Sequence, residues 1–139
     1  MVTGPPRDAA PGVTGTELLL ATSDTVAVTL GPLFVWPEGV RLVLWITSKP
    51  PLAIPDPVAS PLLLSVELAG QQADLSSLGG GGGQGQFLWE QWLSGLPAEG
   101  RLKLICAWPE HGIPETVTEL DSVPIRQAAG RATPLWAST

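Results

Sequence analysis

The chain has 139 residues, of which 44% are hydrophobic and only 14% charged. That length and apolar content suit one domain with its own core. Seven basic residues against thirteen acidic ones give a net charge of −6, and no basic cluster follows a phosphate backbone, which argues against binding to nucleic acid or to an anionic membrane.

Residues 1–16 are rich in Gly, Pro, Thr and Ala and show no hydrophobic period. They read as a flexible arm. Residues 17–139 read as a single domain. Its first half offers weaker strand candidates at Thr25–Leu30 and Leu33–Trp36. A strong one follows at Val40–Thr47, where Val40, Leu42, Leu44 and Ile46 share one face and Arg41, Val43, Trp45 and Thr47 the other. Ser48–Pro61 is proline-rich and predicts an extended, semi-rigid connection.

Leu62, Leu64, Val66 and Leu68 then alternate with Leu63, Ser65 and Glu67. The run Gly79–Gly83 reads as a flexible loop over residues 79–86. In the next strand, Phe87, Trp89, Gln91 and Leu93 alternate with Leu88, Glu90 and Trp92. The clearest strand is Arg101–Trp108, with Leu102, Leu104, Cys106 and Trp108 on one face and Arg101 and Lys103 on the other. It stops at Pro109, which has no N–H for a ladder. Glu115–Leu120 is a further weak candidate.

The breakers between these runs are Gly31-Pro32, Pro37-Glu38-Gly39, Pro97–Gly100 and His111–Pro114. Short strands at near-regular spacing predict an all-β fold. We expect a small antiparallel β-sandwich of about seven strands, with an immunoglobulin-like arrangement as one form of it. The chain closes on a helix. Asp121 or Ser122 can cap it, Pro124 suits its first turn, and Ile125, Ala129, Ala132 and Trp136 lie on one face. The predicted span is about 123–132, ended by Pro134, with Trp136 docking after it.

Several C-terminal motifs occur in order: Gly79–Gly83, Trp89 and Trp92, Cys106-Ala107-Trp108-Pro109, Gly112-Ile113, Ile125–Ala129 and Leu135-Trp136. Over residues 79–136 this resembles a group of small actinobacterial proteins. In that group a polyglycine run precedes an aromatic strand, a Cys-x-Trp-Pro segment and an Ala-rich helix. The resemblance implies a source and no chemistry.

Catalytic sets are sparse. Cys106 is the single cysteine, so neither an intrachain disulfide nor a Cys-rich zinc site can form. Its place among Leu102, Leu104 and Trp108 predicts a buried, inert thiol. With no signal-peptide pattern at Met1–Asp8 and no apolar stretch of membrane length, the expected location is cytoplasmic. His111 is the lone histidine, and any Ser–His or Cys–His pair must use it. The Glu110–Asp121 stretch, with Glu110, His111, Glu115, Glu119 and Asp121, holds the densest set of metal-ligating side chains. Its other reading is a solvated acidic edge that discourages strand pairing. The glycine run lacks the Gly-Lys-Ser/Thr and helix of a phosphate loop.

Six tryptophans and no tyrosine remain to be explained. Trp89 and Trp108 fall on apolar faces and read as core. Trp45 and Trp92 fall on mixed faces beside Arg41 and Glu90, and Trp36 lies near a turn. Aromatic anchors with a polar rim are the anatomy of an interface. Trp36, Trp45, Trp92, Arg41 and Glu90 are therefore the candidate interaction residues. The expected function is a non-catalytic interaction or assembly module, with another protein or a second copy as partner and no cofactor. Carbohydrate or small-ligand binding through exposed tryptophan is one alternative. An enzyme or metal site at Glu110–Asp121 is the other.

Overall fold

The computed structural model describes residues 4–15, 17–50, 62–83, 85–97 and 100–136. The proline-rich connection beyond Pro50 lies outside the described residues. The strands are β1 (Ala9–Ala10), β2 (Gly12–Thr14), β3 (Leu18–Thr22), β4 (Val26–Leu30), β5 (Leu33–Trp36), β6 (Gly39–Ser48), β7 (Leu63–Leu68), β8 (Gln71–Gln72), β9 (Leu75–Gly83), β10 (Gln86–Ser94), β11 (Arg101–Trp108), β12 (Ile113–Asp121) and β13 (Thr133–Pro134). One helix, α1 (Ser122–Ala129), follows β12. The protein is a small all-β sandwich with a short C-terminal helix. Among the described residues no helix is long and apolar enough to cross a membrane.

The first sheet runs β2-β5-β6-β10-β9, and the β3–β4 hairpin joins it through β4 on β6. The second runs β12-β11-β7-β8, and β1 pairs with β13 by itself. All pairings are antiparallel. β6 is long enough to pair with β5 through Gly39–Arg41 and with β4 through Leu44–Ser48, while β10 runs along its other side. Its alternation does what period two requires: Val40, Leu42, Leu44 and Ile46 are buried in the core. Leu102, Leu104, Cys106 and Trp108 of β11 face them from the second sheet, with Val28, Leu30, Leu33, Val35 and Val66 completing the same core.

Local chemistry explains the ends. The β3–β4 turn is held by Ser23, whose hydroxyl accepts from the N–H groups of Thr25 (3.3 Å) and Val26 (3.2 Å). Between β11 and β12, Pro109–His111 forms one 3-10 turn. Gly112, at φ 76°, closes it by donating to the Pro109 carbonyl. Pro114 then sits inside β12, which is tolerated because β12 is an edge strand. Asp121 caps α1 by accepting from the Val123 N–H at 3.0 Å. The helix ends at Ala129, short of the expected 132, and it packs on β2 and β5 through Ile125, Ala128 and Ala129. Gly12 of β2 lies so close to the Ala128 carbonyl that no Cβ fits there.

Three expectations need correction. The segment 1–16 is not wholly a free arm, since residues 9–10 and 12–14 are strands. They pair with β13 and β5 respectively. Trp136 does not dock; it is 69% exposed, and Thr133–Pro134 takes up the pairing instead. The glycine run is not a loop. Gly79–Gly83 is the second half of β9, in register with Glu90 down to Gln86 of β10. The backbone ladder needs no side chains, and here it outweighs the poor strand propensity of glycine.

The run also contains two kinds of glycine. A Cβ on Gly80 or Gly82 would strike the β10 backbone, whereas one on Gly81 or Gly83 would meet nothing within 4 Å. Gly80→Ala or Gly82→Ala should therefore lower stability by about 1–3 kcal/mol, as overpacking does. Gly81→Ala should stay within about 0.5 kcal/mol of wild type. Thermal melts of the three variants check this pattern.

Cys106 is 1% exposed, and burial pushes its thiol up to about 11 from 9.0. Thiol-reagent labelling in native buffer near neutral pH should be slow and become fast on denaturation. Because the folded value is the higher one, the thiol's contribution to stability is complete below pH 9 and disappears as pH rises through 11. Melts of wild type and Cys106→Ala across that range should converge as the pH rises.

Candidate functional site

Register sorts the residues of the first sheet onto two faces. Directly opposed residues share a face. Ile46 with Phe87, Leu44 with Trp89, Leu42 with Gln91 and Val40 with Leu93 all point to the core. The outer face carries Trp45 with Leu88, Val43 with Glu90, and Arg41 with Trp92. β5 extends it with Phe34 beside Arg41 and Trp36 beside Gly39.

One half of that outer face is covered. Trp36 is 3% exposed and Trp92 0%, their ring centroids 5.8 Å apart and tilted by 60°. The Trp92 ring lies against Gly39, where a Cβ would come within 2.6 Å of it. The Trp36 indole donates from Nε1 to the Ala9 carbonyl at 2.9 Å. The N-terminal segment is thereby held over the pair. β1–β13 pairing and the Leu135 N–H bond to the Asp8 carbonyl at 2.8 Å anchor that segment. Trp36 and Trp92 are thus a buried aromatic pair and present no ring to a partner. The sequence signal missed was in the supposed arm: its backbone supplies the lid.

Arg41 and Glu90 are brought together at the border of the covered half. Arg41 Nε lies 3.8 Å from Glu90 Oε1, and the guanidinium sits 4.4 Å from the Phe34 ring centroid. Each side chain is 32% exposed, so the pair adds little to stability but leaves a neutral, polar rim.

The other half of the face is open. One row crosses five strands, from Leu19 (β3) through Thr29 (β4), Trp45 (β6) and Leu88 (β10) to Gly81 (β9). Trp45 is 38% exposed and Leu19 59%. The Trp45 indole lies beside Gly31, where a Cβ would come within 3.4 Å of its Nε1. A shallow cleft of about 340 Å³ runs beside it, lined by Glu17, Thr29, Gly31, Pro32, Thr47 and Gln86. Gly81 and Gly83 extend the surface as a shelf without side chains. Of the sequence candidates, then, Trp45 alone presents an aromatic ring. Leu19 and Leu88 were missed because neither lies beside Trp45 in sequence; only the register makes them neighbours.

The remaining candidates do not converge. Glu115, Glu119 and Asp121 are exposed along β12, and four strand residues span about 13 Å. Among the described residues no three metal-ligating side chains come together. His111 instead packs edge-on against Trp108, centroids 4.6 Å apart. A second apolar patch lies on the outer face of the second sheet, where Leu63 and Val117 are exposed beside Ile105 and Ala107. The charged start of β11 concealed it in the sequence.

No protein-family model matches this chain, and neither the curated proteins nor the solved structures contain a match to it.

Proposed function

We propose that the protein is a non-catalytic interaction module that docks a protein partner on the open half of the first sheet's outer face. The observation that supports this reading is the unequal treatment of tryptophans on one face. Trp36 and Trp92 are covered by the chain itself, and Trp45 is left in solvent within the row Leu19–Thr29–Trp45–Leu88–Gly81. An exposed indole on a sheet, rimmed by polar groups, has the composition of an interface anchor. Strands pair with β6 on both sides of Trp45, which fixes its backbone before a partner docks.

A second reading draws on the cleft. Glu17, Thr29, Thr47 and Gln86 place hydrogen-bonding groups around the indole, the combination that binds a sugar ring by stacking and hydroxyl contacts.

Trp45→Ala separates these readings from a structural role. Its melting curve should stay close to wild type, while Trp108→Ala, in the core, should lose about 3–5 kcal/mol. Affinity for a partner isolated from the host should fall by about 2 kcal/mol or more, roughly thirtyfold. Fluorescence quenching by oligosaccharides that vanishes in Trp45→Ala would favour the carbohydrate reading. A Trp45→Ala protein that melts like Trp108→Ala, with association unchanged, would remove the site.

A further inference from the structure

Sheet edges are where strands recruit other strands, and proteins guard them with charge, proline, bulges, shortness or cover. Among the described residues, four edges of the two main sheets carry such a guard. β12 holds Pro114, Glu115, Glu119 and Asp121. β8 has two residues. β2 has three, and Arg131 donates to its Val13 carbonyl at 2.8 Å. β3 has a register break between Leu19 and Ala21 and packs against β12.

β9 is different. It is nine residues long, closes the first sheet, and among the described residues pairs with β10 alone. It contains neither charge nor proline. Its register breaks at Leu78, next to Gly79 at φ 110°, but from Gly80 to Gly83 the pairing with β10 is regular and carries no such guard. Every second residue of such an edge turns its N–H and C=O away from the sheet. Gly81 and Gly83 have no positive φ, and a Cβ there would meet no described residue within 4 Å, so nothing among the described residues requires them to be glycine.

We infer that this edge pairs with the same edge of a second copy, antiparallel and centred on Gly81. It deepens the reading of the protein as an interaction module but uses a different surface from Trp45. Two observations select a copy over a foreign strand. Strand addition takes its specificity from pockets for alternate side chains, and a glycine run has none. Recognition by backbone alone suits a partner of matching twist and spacing, which a two-fold copy supplies. Charge points the same way. At −6 two copies repel each other on the whole, yet β9 brings no carboxylate to the contact. Glu90, opposite Gly79, is already held by Arg41. The product is one continuous sheet with the two Trp45 rows on the same face.

Sedimentation equilibrium tests this from micromolar to millimolar concentration. Wild type should move from 14.5 kDa toward twice that mass. Gly81→Lys places like charges opposite each other across the two-fold, and its Cβ meets no described residue within 4 Å. It should keep the wild-type melting curve and weaken dimerisation at least tenfold. Trp45→Ala should dimerise as wild type does, so loss of the docking face and loss of the edge contact are told apart. A wild-type protein that stays monomeric at millimolar concentration overturns the inference. So does a folded Gly81→Lys protein that dimerises as well as wild type, or a dimer abolished by Trp45→Ala and untouched by Gly81→Lys.

Discussion

The inner face of β6 is the element on which the other strands of the first sheet depend. Leu42, Leu44 and Ile46 are essentially without solvent contact, and β4, β5 and β10 all take their register from this strand. A slip of one residue would turn that set outward and bring Arg41 and Thr47 into the core. Burying each large side chain contributes about 1.5–3 kcal/mol, so the correct register is favoured over its neighbours by several such terms. Everything on the outer face inherits its position from this choice. Trp45 is presented to solvent because Leu44 and Ile46 are not.

The same dependence explains what could be read from the sequence. Arg101–Trp108 and Leu33–Trp36 match their strands residue for residue, and Val40–Thr47 and Phe87–Leu93 extend by one residue at each end. In Arg101–Lys103 side-chain polarity states the face, whereas Leu33–Trp36 is apolar throughout and is bounded by its breakers, Gly31-Pro32 and Pro37-Glu38-Gly39. β1, β8 and β13 have two residues each and β2 three, too few to show alternation. β9 was illegible for another reason. Glycine has no polarity to alternate, and its pairing is specified by the partner strand β10. Trp92 was misjudged because alternation tells which face a residue occupies, while cover depends on what crosses that face. Here the Trp36 indole is met by the carbonyl of Ala9, 27 residues away in sequence.

Trp36 and Trp45 show how one sheet can use the same residue type in two ways. Trp36 has a satisfied indole N–H and a neighbouring ring, and it stabilises the fold. Trp45 has glycine beneath it and solvent above. The Arg41–Glu90 pair marks the border between the two regions. With each side chain 32% exposed, it separates an aromatic core from an exposed platform without adding a net charge that would bias what approaches.

The cover over Trp36 and Trp92 has a consequence for biosynthesis. Arg131 secures β2 across 118 residues of chain, α1 packs against Gly12, and β13 holds β1. At ribosomal speeds of about 5–20 residues per second, that separation is on the order of ten seconds. The strands of the first sheet emerge during this interval, but the clasp that seals its aromatic half does not yet exist. A nascent chain stalled before α1 would display both tryptophans, the kind of surface that chaperones bind. Closure of the aromatic pair therefore waits on synthesis of α1, Arg131 and β13.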